Sequence, residues 1–136
     1  SFQEYSQRYA DPVNEDSFEF VIREARLQDP KNRQNSTPSE DSELSADWVL
    51  QQEQVISAAM RAYNWAIDNG IAKEQARAVL PEGNTASKFC MNGTLRSYIH
   101  YIELRSANGT QKEHMLLAEA IASVIADVFP FRELIN

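Results

Sequence analysis

The chain has 136 residues, of which 43% are hydrophobic and 24% charged, and its formal net charge is -7. This length is enough for one domain with one core, residues 1–136, and too short for two ordinary domains. The acidic balance argues against a general nucleic-acid coat, which needs a basic face, but a few focused arginines can still hold a small anion.

The chain begins SFQEYSQRY, a stretch that is predicted to be extended. Glu4, Ser6 and Arg8 alternate there, and every second side chain of an extended segment points to the same side. The alternation of apolar and other residues over 18–23 predicts a strand.

Residues 28–45 are polar and lack periodicity, which indicates a loop whose last Ser or Asp caps the following helix. A helix is predicted from Asp47 to Asn69, with Gly70 well placed to end it. Its apolar residues recur at three- and four-residue steps: Trp48, Val55, Ala58, Ala59, Ala62, Trp65 and Ala66. A shorter helix is predicted over 73–80, before Pro81.

Residues 85–92 are predicted to form a strand or a loop. Thr94 or a neighbour caps a helix that runs to about Arg105. Thr110-Gln-Lys-Glu113 has the pattern of a capping box, and the last helix stops before Pro130. The expected fold class is therefore α/β of the α+β kind, helix-rich with few strands.

The single cysteine, Cys90, excludes an internal disulfide and is typical of a reducing compartment. No apolar run approaches the roughly 20 residues of a membrane span, and no signal peptide is recognisable. We expect a cytoplasmic protein that contacts neither membrane nor nucleic acid.

Four arginines stand out in a chain with few basic residues: Arg8, Arg77, Arg96 and Arg105. The last three lie in largely apolar segments, and a guanidinium among buried groups needs an anion or other acceptors. Each could pair with a carboxylate of its own domain. Alternatively, several could converge on a phosphate or another planar anion, which suits the guanidinium fork.

His100 follows Arg96 by four residues, so a helix would place both on one face. Two histidines and one cysteine do not make a metal site, and no zinc-ligand spacing is present. Ser6 has no base near it in sequence that could activate it as a nucleophile. The residues alone therefore indicate an arginine-rich anion site in an α/β domain.

Four segments in order resemble the flavin-dependent thymidylate synthases. The family signature is R-H-R, seven variable residues and a serine, usually continuing as S-x-N-E-x-S-x-R-Y. The stretch SFQEYSQRY is similar to its second half, with Gln3 for Asn. EQARAVLP (74–81), GTLRSYIHYIELR (93–105) and TQKE (110–113) are similar to later family segments.

The resemblance implies roles for individual residues. Arg105 would be catalytic: it would lie against the uracil ring of dUMP and stabilise negative charge there. The other dUMP-binding residues would be Glu4, Tyr5, Ser6, Gln7, Arg8 and Arg77, the last on the phosphate. FAD would be bound by Glu4, Thr94, Leu95, Arg96 and His100. The family commonly has Asn at the position of Thr94.

The implied reaction transfers a one-carbon unit from methylenetetrahydrofolate to dUMP, and a flavin hydride drawn from NADPH reduces it to give dTMP. The resemblance also implies a homotetramer with sites between subunits. The R-H-R half of the signature is not in these 136 residues. The chain is therefore expected to be a C-terminal segment without the family's N-terminal strands, either truncated or beginning at Ser1 after an intein.

Two other interpretations remain open at this point. One is a catalytically inactive fragment that serves only as an oligomerisation or nucleotide-binding module. The other is a generic nucleotide-binding domain without redox chemistry.

Overall fold

The computed structural model describes residues 2–4, 19–107 and 110–129, and it describes residues 2–4 by their backbone alone. The described residues belong to two compact units. One unit contains residues 26–38 together with 92–107 and 110–129, and the other contains residues 2–4, 19–25 and 39–91.

Helices dominate both units, and each unit has one two-stranded antiparallel sheet. The elements in chain order are β1 (Phe2–Glu4), β2 (Arg26–Gln28), β3 (Ser36–Pro38), α1 (Ser42–Asp68), α2 (Lys73–Ala76), a 3-10 helix (Arg77–Val79), β4 (Phe89–Met91), α3 (Leu95–Arg105) and α4 (Lys112–Val128). The expected helix-rich α+β class is confirmed.

Helix α1 begins five residues earlier than its apolar pattern predicts. Asp41 is the N-cap, and its Oδ1 accepts hydrogen bonds from the backbone N–H groups of Glu43 and Leu44, both at 3.0 Å. These bonds satisfy two of the amides that a helix start leaves free, so the polar first turn is stable without apolar residues.

Gly70 ends α1 as expected, with a left-handed φ of 75°. The Gly70 N–H donates to the Ile67 carbonyl at 3.0 Å, and the Ile71 N–H donates to the Ala66 carbonyl at 2.9 Å. This is the Schellman arrangement, which favours glycine because other residues are strained at positive φ.

The core of the larger unit forms where α1 meets the segment that follows it. Tyr63, Ala66 and Ala76 are buried together, with Ile67 and Leu80 packed against them. The helix predicted over 73–80 tightens to 3-10 geometry at Arg77, and Leu80 is extended. Pro81 accounts for this end, because the residue before a proline is disfavoured in the helical region.

Gln52 links α1 to two irregular segments of the same unit. Its Nε2 donates to the carbonyls of Arg23 at 2.9 Å and Trp48 at 3.2 Å. Its Oε1 accepts from the Arg23 N–H at 2.7 Å and from Asn84 Nδ2 at 2.9 Å. Gln52 is only 4% exposed, so these bonds replace the water that the amide loses on burial.

The strands of this unit are short. β1 pairs antiparallel with β4, with Glu4 opposite Phe89, which agrees with the extended start and with a strand within 85–92. The strand predicted over 18–23 is reduced to a bridge between Phe20 and Thr85. Phe18 lies outside the described residues.

The polar stretch 28–45, expected to be a loop, contains regular structure. β2 and β3 form a hairpin in which Arg26 Nε donates to Ser36 Oγ at 2.7 Å. In the connection, Asp29 Oδ1 accepts from the backbone N–H groups of Lys31 at 2.8 Å and Asn32 at 3.1 Å. Side-chain hydrogen bonds, rather than apolar alternation, stabilise this hairpin.

Helices α3 and α4 pack together in the smaller unit. Ile102 and Ala118 are their buried residues, and the Tyr101 hydroxyl lies 3.3 Å from His114 Nδ1. The N-cap of α4 is Gln111, which makes no side-chain capping bond. The expected capping box requires Thr110 at that position, so this prediction was wrong; the end of α4 before Pro130 is as expected.

Among the described residues, no helix combines the length and the apolarity needed to cross a lipid bilayer.

Candidate functional site

The N-terminus of α3 is fixed by Thr94, as the sequence predicts. Thr94 is the N-cap, and its Oγ1 accepts a hydrogen bond from the Ser97 backbone N–H at 3.2 Å. The two hydroxyl oxygens of Thr94 and Ser97 are also 3.0 Å apart. The Thr94 side chain is thus engaged in starting the helix, and Leu95 is its first residue.

A polar pocket of about 500 Å³ lies along α3. It is lined by Arg96, Ser97, Ile99, His100 and Glu103. Residues 96, 100 and 103 follow one another at four- and three-residue steps, so the helix brings their side chains to one face. The structure therefore brings together two of the predicted FAD-binding residues, Arg96 and His100.

The pocket combines cationic and neutral donors with one carboxylate. Arg96 and His100 are exposed and can donate to an anion, and the positive end of the helix dipole adds to their effect. The Glu103 carboxylate can accept a hydrogen bond from a hydroxyl or amine group of the same ligand. Sequence reasoning missed Ser97 and Glu103. Glu103 could have been found, because it follows Arg96 by seven residues, which is two helical turns and so places both on one face.

A second groove of the same unit has the opposite character. It has a volume of about 420 Å³, and the residues that line it are Tyr98, Ala120, Ile121, Val124 and Ile125. None of these side chains carries a charge, so this groove offers an anion no cationic group. The polar pocket is the candidate anion site on α3.

Arg105 is the last residue of α3 and is exposed, two residues after Glu103 of the polar pocket. Its position at the helix C-terminus favours a cation, because the helix dipole is negative there. The guanidinium is therefore available to a ligand.

Arg77 lies in the other unit, at the junction of α2 and the 3-10 helix, and is exposed. Its Nε donates to the Glu74 carbonyl at 3.2 Å. That bond orients the guanidinium. The two terminal nitrogens remain available, and together they can bind a phosphate in bidentate fashion.

The expectation that these arginines lie among buried groups was wrong. Arg77, Arg96 and Arg105 are all exposed, and so are the apolar neighbours Val79 and Leu104. The burial penalty for an unpaired guanidinium therefore gives no reason to require an internal carboxylate for any of the three.

The remaining predicted site residues are at the beginning of the chain. Glu4 is the last residue of β1, and its side chain lies outside the description. Tyr5, Ser6, Gln7 and Arg8 also lie outside the described residues. In the part of the chain that is described, no group of three or more His, Cys, Asp or Glu residues is arranged to hold a metal ion.

Comparison with known proteins decides the family. The model of the Thy1 family, described as thymidylate synthase complementing protein, matches residues 1–131. The chain belongs to this family. The resemblance based on four short segments is thereby confirmed.

Relatives within the Thy1 family carry a consistent description. A probable flavin-dependent thymidylate synthase of Paramecium bursaria Chlorella virus 1 is 44% identical over 129 residues, which are 95% of this chain and 57% of the relative. A flavin-dependent thymidylate synthase of Synechocystis sp. is 42% identical over 131 residues, 96% of this chain and 58% of the relative. The chain thus spans a little under three fifths of these two relatives.

A solved structure has the same fold. The UMP/dUMP methylase PolB of Streptomyces cacaoi, determined with 5-Br UMP, superposes with a TM-score of 0.71 and 22% identity. The match covers 96% of this chain and 60% of that protein. The arrangement of helices and short strands described above is therefore that of this fold.

Proposed function

We propose that this chain is the larger part of a flavin-dependent thymidylate synthase, which converts dUMP to dTMP. The proposed one-carbon donor is methylenetetrahydrofolate, with FAD as cofactor and NADPH as reductant. The observation that carries the proposal is the exposed polar face of α3. It presents Arg96 and His100 in one pocket, in a chain that matches the Thy1 family over residues 1–131.

The residues of α3 suit a dinucleotide cofactor. The cofactor's pyrophosphate is a double anion, and Arg96, His100 and the N-terminal amides of α3 are donors near one another on a helix start. Because Thr94 Oγ1 is engaged as the cap, we assign Thr94 to fixing the start of the helix. We assign Leu95 to contact with FAD through its backbone. When bound, the flavin supplies the hydride that reduces the transferred carbon.

The substrate roles are assigned to arginines and to the beginning of the chain. Arg77, oriented by its bond to the Glu74 carbonyl, would hold the phosphate of dUMP. Glu4, Tyr5, Ser6, Gln7 and Arg8 would line the nucleotide. Arg105 would lie against the uracil and favour the ring with its N3 proton removed, which makes C5 more nucleophilic without a cysteine.

The proposed assembly is a homotetramer with sites formed between subunits. This arrangement suits residues such as Arg77 and Arg105, whose guanidinium groups are exposed rather than held in an internal ion-pair network. A partner subunit could then complete the surroundings of each ligand.

The test is turnover of an Arg105→Ala variant. We expect dUMP-dependent NADPH oxidation to fall by roughly 100-fold or more, the size of effect seen when a preplaced charge-stabilising group is removed. The assay uses the chain preceded by a family R-H-R segment, and circular dichroism checks the fold. Arg33→Ala, which removes an exposed arginine from the connection between β2 and β3, is the matched control. Activity equal to that of the control would refute the role of Arg105.

The alternative of an inactive binding module makes a different prediction for the same protein. It would bind dUMP or FAD but oxidise no NADPH when dUMP and methylenetetrahydrofolate are added. A generic nucleotide-binding domain would lack flavin binding as well. Flavin absorbance and NADPH oxidation, measured together, separate the three.

A further inference from the structure

A line of exposed, mostly apolar residues runs along α1 beside its buried face. Its seven members are separated alternately by four and three residues: Leu44, Trp48, Gln51, Val55, Ala58, Ala62 and Trp65. We call this line the outer stripe. The spacing is that of the a and d positions of a coiled coil.

The outer stripe is not part of the core of its own unit. The buried residues of α1 are Gln52, Ala59, Tyr63 and Ala66, none of which belongs to the stripe. Trp48 is 43% exposed, Val55 52% and Trp65 62%. Scattered exposed apolar residues need no explanation, but a continuous row of about 33 Å, at 1.5 Å per residue, indicates a surface that is covered by another molecule.

The polar residues along one flank of the stripe suggest what covers it. Asp47, Gln54 and Arg61 are exposed and follow one another at seven-residue intervals, so they form one row beside the stripe. The side chains of Asp47 and Arg61 make no hydrogen bond or ion pair with another described residue. The row has a negative end, a neutral centre and a positive end.

We propose that α1 pairs antiparallel with α1 of a second copy of this chain, about a two-fold axis beside Gln54. This axis brings Asp47 of each copy against Arg61 of the other, so both ion pairs form at once. A two-fold contact must be complementary to itself, and a row with opposite charges equally spaced from its centre meets that requirement.

The sizes of the stripe residues agree with the same register. In an antiparallel pair each a position faces a d position, and the register that joins residues 47 and 61 sets Leu44 against Ala62 and Trp48 against Ala58. In these two layers a large residue faces a small one, which fills the layer without overpacking. A parallel pair in register would instead put Trp48 against Trp48 and leave Ala58 facing Ala58.

This inference names a surface for the self-association that is proposed above. It rests on the residues of α1 alone and not on the reaction. Its test is whether the chain self-associates through α1. Self-association through α1 can be absent while turnover is normal, and it can be present while turnover is lost.

The first experiment exchanges the two charges. Asp47→Arg and Arg61→Asp are each expected to weaken self-association about tenfold, because each single change places like charges together twice. The double variant is expected to return to within about threefold of the unchanged chain. Glu53→Arg, an exposed change of the same kind off the stripe, is the control and should have no effect.

Sedimentation velocity over a range of protein concentrations gives these dissociation constants. Restoration in the double variant supports the proposed register and cannot result from a folding defect. A chain that is monomeric at every concentration, or a double variant as weak as the single ones, overturns the proposal.

The second experiment places a thiol at the axis. Cys90 is a free, exposed cysteine, so it is first replaced by serine. Gln54→Cys in that background should then give a covalent dimer with a short bismaleimide, because residue 54 of one copy lies beside residue 54 of the other. Glu53→Cys, which points about 100° away around the helix, should give little. Equal yields from the two variants, or no dimer from Gln54→Cys, would contradict the antiparallel pairing.

Discussion

The buried amide of Gln52 is matched by four hydrogen bonds, two to the backbone of Arg23 and one each to Trp48 and Asn84. Arg23 and Asn84 lie in segments without regular secondary structure, and the Val21 N–H joins these segments by donating to the Asn84 carbonyl at 2.7 Å. The Gln52 side chain adds a link from α1 to both segments. Because a buried donor or acceptor is costly when it is left unsatisfied, this link is sensitive to the loss of Gln52.

Replacing Gln52 by alanine is expected to lower the free energy of unfolding by about 1–3 kcal/mol. The Arg23 N–H loses its partner inside the protein, which is the costly case of a broken hydrogen bond, and the smaller side chain leaves a gap. Urea unfolding followed by circular dichroism measures the change. Glu53→Ala, an exposed substitution at the next position, should stay within about 0.5 kcal/mol. A similar small change for Gln52→Ala would contradict the assigned role.

At the scale of single residues, helical spacing predicted correctly that Arg96 and His100 share one face. It could not predict Gln52, because its partners Arg23 and Asn84 are 29 and 32 positions away in the chain. It was also wrong about the surroundings of the arginines. The exposure of an arginine depends on what packs against each side of its helix, and the sequence of that helix alone does not contain this information.

The elements that were predicted well are those with strong local signals. Gly70 ends α1 through backbone hydrogen bonds, and Thr94 starts α3 by accepting the Ser97 N–H at its hydroxyl, so both signals act among neighbouring residues. The β2–β3 hairpin was missed because its strands have three residues each and show no alternation of apolar residues. Its stability comes from Arg26 and Asp29, whose partners could not be inferred from composition.

The hairpin is expected to respond to acid through Asp29. Hydrogen bonds from the Lys31 N–H, the Asn35 side chain and the Asn32 N–H lower the pKa of Asp29 below its usual 3.8. A lowered pKa means that the folded hairpin favours the ionised carboxyl. Its stabilising effect is therefore present above pH 3.8 and is lost as the pH falls through the lower pKa of the folded state.

Amide chemical shifts of Lys31 and Asn32, followed by NMR from pH 6 downward, report on this titration. Both should change together with a midpoint below 3.8, the usual pKa of this carboxyl. In an Asp29→Asn variant the same amides should lose that transition, since no carboxyl remains to titrate. A midpoint at or above 3.8 would show that the hydrogen bonds to Asp29 do not favour the ionised form.

At the scale of the molecule, the described residues divide between two compact units, and the candidate site residues divide with them. Arg96, His100 and Arg105 belong to one unit, while Arg77 and the backbone of Glu4 belong to the other. Sequence order predicted the family and the fold class from four short segments. It could not show which of those segments fold next to each other, because that depends on long-range packing.

The chain spans 57% of its viral relative, and the R-H-R half of the family signature is not among its 136 residues. Arg96 and His100 offer one short polar face, which is small beside the surface of FAD. We therefore expect the chain alone to bind FAD weakly, and to bind it at least tenfold more tightly when it follows a segment that carries the R-H-R half of the family signature. Quenching of flavin fluorescence on titration measures both affinities.

An Arg96→Ala variant of the extended protein separates the contribution of α3 from that of the added segment. If α3 holds the pyrophosphate, this variant should lose roughly tenfold in affinity for FAD, whereas Arg33→Ala, in the connection between β2 and β3, should lose none. A chain that is purified yellow, with flavin near one equivalent and no added segment, would instead mean that this chain already forms a sufficient cofactor site. In that case the determinants of FAD binding would lie on α3 and its surroundings. The added segment would then be needed only for binding the substrate.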